Sequence, residues 1–289
     1  MADIVAVIPA YNEEKTIAKV ILEAGKFVNK VIIVDDGSTD FTGEIAERMG
    51  AVTLHHKANE GKGAALRTGV DYAKKEHFDI LVTLDADSQH DPNDIPKVVE
   101  PLVQKSADIV IGTRTMDSHV MPRERIAGNK IFDAISNKNG ENIRDTQSGF
   151  RAYTFDALSK IKFIENGMAV ESQTFLDAVK AGLNIKEVPV YTTYDGVAMK
   201  RSRVRHFSQV LDYLITRTLA DSPLLYLGLP GIIAIIIGII AGLRVVAIFL
   251  NTQLIAAGTG LIAVTLVIIG SVLIVASIVI KLQKIQSHQ

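Results

Sequence analysis

Cysteine and tryptophan are both absent from the 289 residues, so disulfide staples and thiol chemistry are excluded and redox usage says nothing about compartment. Basic excess is missing too: 31 Lys and Arg face 32 Asp and Glu, for a net charge of −1, and no nucleic-acid partner is expected. The opening residues, Met1 to Pro9, have neither a basic start nor an apolar stretch long enough for a secretory signal, and read as a first strand. No G-x-G-x-x-G turn follows that strand. Gly61-Lys62-Gly63 carries Leu66 where a third glycine would stand, and no Ser or Thr follows Lys62, so a dinucleotide fingerprint and a Walker A loop are both excluded. Charge itself is missing from two long stretches, Ser222–Leu243 and Val245–Ile280.

What is present divides the chain. Apolar content is 48% and mean hydropathy +0.23, high for a soluble protein, and the excess lies in the charge-free tail. Before Ser222, short apolar runs alternate with helical patterns. Ile4–Ile8, Val31–Val34, Val52–Leu54, Ile80–Leu84 and Ile109–Ile111 read as buried strands. Helices are expected at about Glu14–Phe27, Thr42–Met49, Ala64–Lys75 and Asp94–Gln104, with Asp40 or Thr42 capping the second and Asp91-Pro92 opening the fourth. This rhythm predicts an α/β fold with a mostly parallel sheet and helices on both faces. Ile185–Val190 reads as a later strand, at an edge because of Pro189.

The stretch around which the chain is organised is Ile80-Leu-Val-Thr-Leu-Asp85-Ala-Asp87-Ser-Gln89. It delivers two carboxylates at i, i+2 to the carboxyl end of a strand, where open α/β sheets bind ligands. Crowded carboxylates repel, and a hard divalent ion taking oxygens from Asp87 and Gln89 relieves the repulsion. A simple strand-end turn is the alternative. A second acidic turn, Asp35–Asp40, follows the second strand; helix capping alone would need one of its three Asp.

Four motifs occur in order: Pro9-Ala-Tyr-Asn-Glu13, Val34-Asp-Asp-Gly-Ser-Thr-Asp40, Asn59-Glu-Gly-Lys-Gly63 and Asp85-Ala-Asp-Ser-Gln89. Together they resemble the family 2 glycosyltransferases of GT-A-type fold. The resemblance implies a nucleotide-sugar donor in the strand-end crevice. Pro9, Ala10, Tyr11, Glu13 and Val34 would line the base and ribose pocket, with Asp36 accepting from the base ring N–H. Asp85 and Ala86 would lie near the ribose, Asp87 and Gln89 would hold Mg2+ or Mn2+ against the diphosphate, and Lys62 would add a base or phosphate contact. Arg125-Ile-Ala-Gly-Asn129 and Asp145-Thr-Gln-Ser-Gly-Phe-Arg151 are similar to segments of polyprenyl-phosphate sugar synthases. By that likeness Arg114 and Arg125 face the donor diphosphate and the acceptor phosphate, Asp145 lies near the sugar, and Asp87, Arg125 and Asp145 carry catalysis. Glu171 either touches sugar hydroxyls or is an ordinary helix-surface residue.

Lys200-Arg201-Ser202-Arg203-Val204-Arg205 opens a helical pattern with one apolar face, which reads as a basic element lying on a membrane surface. Arg201, Ser202 and Arg203 are the acceptor-phosphate candidates; the related synthases often carry Ser-Lys where this chain has Ser202-Arg203. The two charge-free stretches are each long enough to span a bilayer, which takes about 20 residues. Three parts are therefore expected: a catalytic domain over 1–199, an interfacial segment over 200–221, and two transmembrane helices within 222–282, at about 222–249 and 254–280. Glycine-rich faces on the pair leave room for association with further copies. Arg217, Lys281 and Lys284 flank the pair and only Arg244 lies near its tip, so the positive-inside rule puts the catalytic domain and both termini in the cytoplasm of a multi-pass membrane protein. The expected reaction moves one sugar, with inversion, from a UDP- or GDP-sugar to dolichyl or polyprenyl phosphate. A transferase to a saccharide hydroxyl and a non-catalytic nucleotide-sugar-binding membrane subunit are the alternatives.

Overall fold

A computed structural model describes residues 2–114, 143, 145–167, 169–192 and 222–286. The Arg125–Asn129 segment and the interfacial segment 200–221 lie outside the described residues. Contacts divide the chain into two compact units, Met1–Val210 and Leu211–Gln289.

The first unit is built on β1 (Ile4–Ala10), α1 (Ile17–Ala24), β2 (Lys30–Asp35), α2 (Thr42–Arg48), β3 (Val52–His55), α3 (Lys62–Ala73) and β4 (Ile80–Thr83). A single turn of 3-10 helix at Pro92–Asp94, capped by the Asp91 side chain on the Asn93 N–H, leads into α4 (Ile95–Val103). Then come β5 (Ile109–Arg114), β6 (Arg151–Thr154), α5 (Phe155–Lys160), α6 (Val170–Lys180) and β7 (Ile185–Val190). The seven strands form one sheet in the order β3-β2-β1-β4-β6-β5-β7. All pairings are parallel except those of β6, which runs against β4 and β5.

The period of two along the strands separates two cores. Ala6, Ile8 and Ala10 of β1, with Ile80 and Val82 of β4, pack on the apolar sides of α1 and α4. Val5, Val7 and Leu81 face the other way, onto Leu66 and Val70 of α3, Leu158 of α5 and Phe175 of α6. Both faces of the sheet are thus covered, and the strand ends that remain open are at the edge of the sheet where β1, β2 and β4 finish. Pro189 sits in β7 at the end of the strand order, where its missing N–H breaks no ladder.

The second unit is a helical hairpin. A π-helical turn at Leu224–Gly228 runs into α7 (Leu229–Thr252), and α8 covers Ala257–Gln286. Leu224–Thr252 and Ala257–Gln283 are long and apolar enough to cross a membrane, with mean hydropathy of 2.8 and 2.9. Pro230 falls in the first turn of α7, where its missing N–H is harmless, and the irregular backbone lies just before it. The two helices touch through glycine. A Cβ on Gly231 would stand 2.8 Å from the Gly270 carbonyl, and one on Gly270 would stand 2.5 Å from the Gly231 carbonyl. Gly238 meets the Ala263 carbonyl in the same way, whereas Gly258 and Gly260 meet nothing among the described residues.

Candidate active site

Because β1, β2 and β4 are parallel, the loops that follow them share one edge. β6 enters from that edge as well, since Arg151 at its start pairs with Thr83 at the end of β4. The segments 11–16, 36–41, 84–91 and 145–150 therefore meet there.

The first two loops are stitched together by side chains. Asn12, held at φ +56°, donates its N–H to Ser38 Oγ, and its Oδ1 accepts from the Thr39 N–H at 2.8 Å. Glu13 N–H donates to Thr42 Oγ1 at 2.7 Å, and Glu14 N–H to Asp40. Each Asp of the second motif has its own tether. Asp35 accepts from Ser38 N–H and faces His55; Asp40 accepts from Thr42; Asp36 accepts from the N–H groups of Glu60 and Gly61 and from His56 Nδ1. Asp36 is 3% exposed, and its two oxygens already hold three donors. His55 and His56 at the end of β3 had no signal in the sequence, because they become partners of Asp35 and Asp36 only when β2 and β3 pair.

The third motif works differently from a phosphate loop. The N–H groups of Gly63 and Ala64 at the start of α3 both donate to the Asn166 carbonyl, so the helix end is already capped. Its glycines are required by crowding: a Cβ on Gly61 or Gly63 would overlap the carbonyls of Asn166 or Glu165. Lys62 sits between them and turns inward. Its Nζ lies 2.5 Å from Asp85 Oδ1 and 2.6 Å from Glu171 Oε1. Burial alone would depress the Lys62 pKa, yet these two carboxylates hold it well above the ordinary lysine value. The ammonium expected to contact the donor is thus committed to two internal partners. Glu171, 5% exposed, is not a helix-surface residue, which corrects that alternative.

Asp87 follows in a tight turn. Ser88 adopts φ +58°, a left-handed conformation uncommon for a residue with a side chain, and the Gln89 N–H donates to Asp87 Oδ1 at 3.0 Å. Burial and then the neighbouring Asp85 push the Asp87 carboxyl above its ordinary value, against the opposing pull of the Gln89 N–H and Lys62. Glu13 is raised too, first by burial and then, against its bond with Thr16, by the charges of Asp87, Asp40 and Asp85. Among the described residues this edge gathers the carboxylates of Glu13, Asp40, Asp85 and Asp87. Asp87 and Gln89 offer hard oxygen donors to it, the chemistry that suits Mg2+ or Mn2+. Among the described residues no three His, Cys, Asp or Glu gather to hold a metal, so such an ion would complete its shell with ligand oxygens.

On the far side, Asp145 is 1% exposed and its N–H donates to Glu187 Oε1. Thr83 Oγ1 donates to the Gly149 carbonyl, and Arg151 holds the carbonyls of Thr146 and Ser148. His90, also missed in the sequence, packs its ring 5.5 Å from that of Phe150 and pairs through its backbone with Thr192. Tyr11 is 44% exposed at the rim. Val34, by contrast, is fully buried, with its side chain against Gly69 of α3. Ala10 and Ala86 are buried as well. Arg114 closes β5, while Arg125, Arg201, Ser202 and Arg203 lie outside the described residues.

Comparison with known proteins fits this geometry. The model of the family described as "Glycosyl transferase family 2" matches residues 5–162. A UDP-N-acetylglucosamine–dolichyl-phosphate N-acetylglucosaminyltransferase of Methanococcus voltae is 36% identical over 228 residues, covering 70% of this chain and 90% of that protein. A polyprenol monophosphomannose synthase of Mycolicibacterium smegmatis is 28% identical, covering 65% and 76%. Among solved structures, glucosyl-3-phosphoglycerate synthase from Mycobacterium tuberculosis, in complex with Mn2+, UDP and glucosyl-3-phosphoglycerate, aligns with a TM-score of 0.63 and 25% identity over 75% of this chain and 80% of that one. The sheet and its strand-end loops are thus of the GT-A type, and the chain is a member of glycosyl transferase family 2.

Proposed function

We propose that this enzyme transfers a single hexose or N-acetylhexosamine, with inversion, from a UDP- or GDP-sugar to dolichyl or polyprenyl phosphate at the cytoplasmic face of a membrane. The observation that carries this reading is the acidic turn at Asp85–Gln89 opposite the Glu13 loop, in a chain that also has two membrane-length helices. Relatives named for transfer to dolichyl phosphate and for polyprenol monophosphomannose synthesis support the acceptor. Structural neighbours crystallised with Mn2+ or Mg2+ and UDP support the metal and the donor.

In this reading Tyr11 and Glu13 border the base and ribose, and Asp87 and Gln89 hold the divalent ion. Bound there, the ion would supply neutralising charge for a departing diphosphate. The acceptor phosphate is already anionic at neutral pH, its second ionisation lying near ~6, and can attack the anomeric carbon without a base. Catalysis then rests on position and charge. Arg125, Arg201 and Arg203 orient the incoming phosphate, and Asp145 borders the sugar.

The test is incubation of the purified full chain with Mn2+ or Mg2+, polyprenyl phosphate and a panel of labelled nucleotide-sugars, followed by organic extraction. One labelled sugar in the lipid phase at metal-dependent rates is the expected result. Transfer only to a free saccharide, or to nothing, rejects the reading.

A further inference from the structure

The charges around Lys62 make up a larger set than donor binding requires. Asp85 follows β4, Lys62 opens α3, and Glu171 lies in the first turn of α6. One ammonium thus ties three elements together through two carboxylates. Glu171 is itself 5% exposed, so bringing a second carboxylate to this ammonium costs desolvation. A charge kept at that cost is better explained by placement than by stability.

The neighbourhood is shaped to fit the set. A Cβ on Gly149 would stand 2.6 Å from Lys62 Nζ and 2.8 Å from Asp85 Oδ2, so the 145–149 turn closes directly over the pair and a larger residue would displace it. Glu171 also shares a cavity of about 10 Å3, the size of one water, with Thr83, Gly149, Arg151 and Thr174. Its Oε2 takes no hydrogen bond from the described residues. Arg151, 2% exposed, lies across that cavity and grips the Thr146 and Ser148 carbonyls. Glu171 therefore stands between the lysine that holds Asp85 and the arginine that holds the turn carrying Asp145.

We propose that Glu171 is a positioning residue, which by pairing with Lys62 fixes Asp85 at the donor edge and registers the 145–149 turn against it. This rests on the transferase reading above. A role as general base is at odds with the geometry, because Oε1 is committed to the Lys62 ammonium, and a phosphate acceptor needs no base. Contact with hydroxyls of the transferred sugar predicts unchanged UDP and GDP affinity, since neither carries that sugar. Positioning through Lys62 predicts an effect that disappears when Lys62 is gone.

A double-mutant cycle separates these. Binding of UDP and of GDP, each with Mn2+, is measured by calorimetry on the full chain in detergent for wild type, Glu171→Gln, Lys62→Met and the double variant. Each single change should weaken the tighter-binding nucleotide about tenfold, and the double should match Lys62→Met within about twofold. An additive double, or a Glu171→Gln that lowers kcat with unchanged nucleotide affinity, overturns the proposal. Since Glu171→Gln leaves Lys62 with one partner and can weaken folding, Lys62→Met/Glu171→Met, which removes both charges, is compared in parallel with Lys62→Met. Equal affinity supports the proposal, and a further tenfold loss overturns it. Wild type that binds neither nucleotide overturns the transferase reading as well, which distinguishes the two failures.

Discussion

His56 donates its Nδ1–H to Asp36 Oδ1 at 2.7 Å, while its Nε2 faces Thr68 Oγ1 at 2.9 Å. The pair joins the end of β3 to the second acidic turn, and α3 supplies the hydroxyl that partners the other ring nitrogen. Asp36 in turn holds the N–H groups of Glu60 and Gly61, immediately before Lys62. His56 thus governs both the carboxylate expected to read the base and the loop that delivers the lysine. Its replacement by Phe fills the space but removes the donor to a buried carboxylate. A stability loss of about 1.5–3 kcal/mol is expected in thermal or denaturant unfolding, with weaker nucleotide binding. Unchanged stability and affinity would show that Asp36 is held by the two backbone N–H groups alone.

Asp87→Ala tests the acidic turn directly. Transfer should fall by about 10²–10³-fold at saturating Mg2+ or Mn2+ if, as proposed, the removed carboxylate holds the ion against the diphosphate. Near-normal turnover would remove Asp87 from the site.

How much of this was legible beforehand depended on which interactions were local. The strand pattern, Asp91-Pro92 and the edge position of Pro189 follow from properties of single residues and their neighbours, and all three appear in the fold. β6 was missed because Arg151-Ala-Tyr-Thr154 is short and begins with an arginine; its burial depends on carbonyls of the preceding turn, which no periodicity reveals. Glu171 likewise looks like any helical glutamate until α6 is laid against α3. The glycines of Asn59–Gly63 are required by the chain's own 165–166 backbone, a neighbour that no local pattern reveals.

His55 gives a pH signature. Its pKa is raised, first by its bond to Glu47 and then, against burial, by Asp35. A histidine with a raised folded-state value contributes stability that is complete below its unfolded value, ordinarily 6.5, and is lost as pH rises through the folded value. Unfolding temperatures between about pH 6 and about pH 9 should therefore decline more in wild type than in His55→Gln. Parallel profiles would assign the pH dependence elsewhere.

Arg203→Ala separates the two substrates. If Arg203 meets the acceptor phosphate, KM for polyprenyl phosphate should rise about 10–100-fold, the loss of one charge-assisted hydrogen bond, while nucleotide-sugar affinity holds. Matched losses for both substrates would place Arg203 elsewhere.

Gly63 connects backbone packing to the site. A Cβ there would overlap the Glu165 carbonyl, and the Gly63 N–H is the one that donates to Asn166 at 2.8 Å. Gly63→Ala must push the start of α3 away from the 165–166 segment, at about 1–3 kcal/mol of stability. Lys62 is its neighbour, so the shift is carried to the Asp85 and Glu171 contacts. Nucleotide affinity should then fall together with stability, whereas a purely local strain would lower the unfolding temperature and leave binding as it was. Gly50→Ala is a contrast, since no atom lies within 4 Å of a Cβ there, although its φ of +79° is itself strained for alanine. That variant should lose stability with nucleotide affinity intact, and the difference between the two reports on crowding at Gly63.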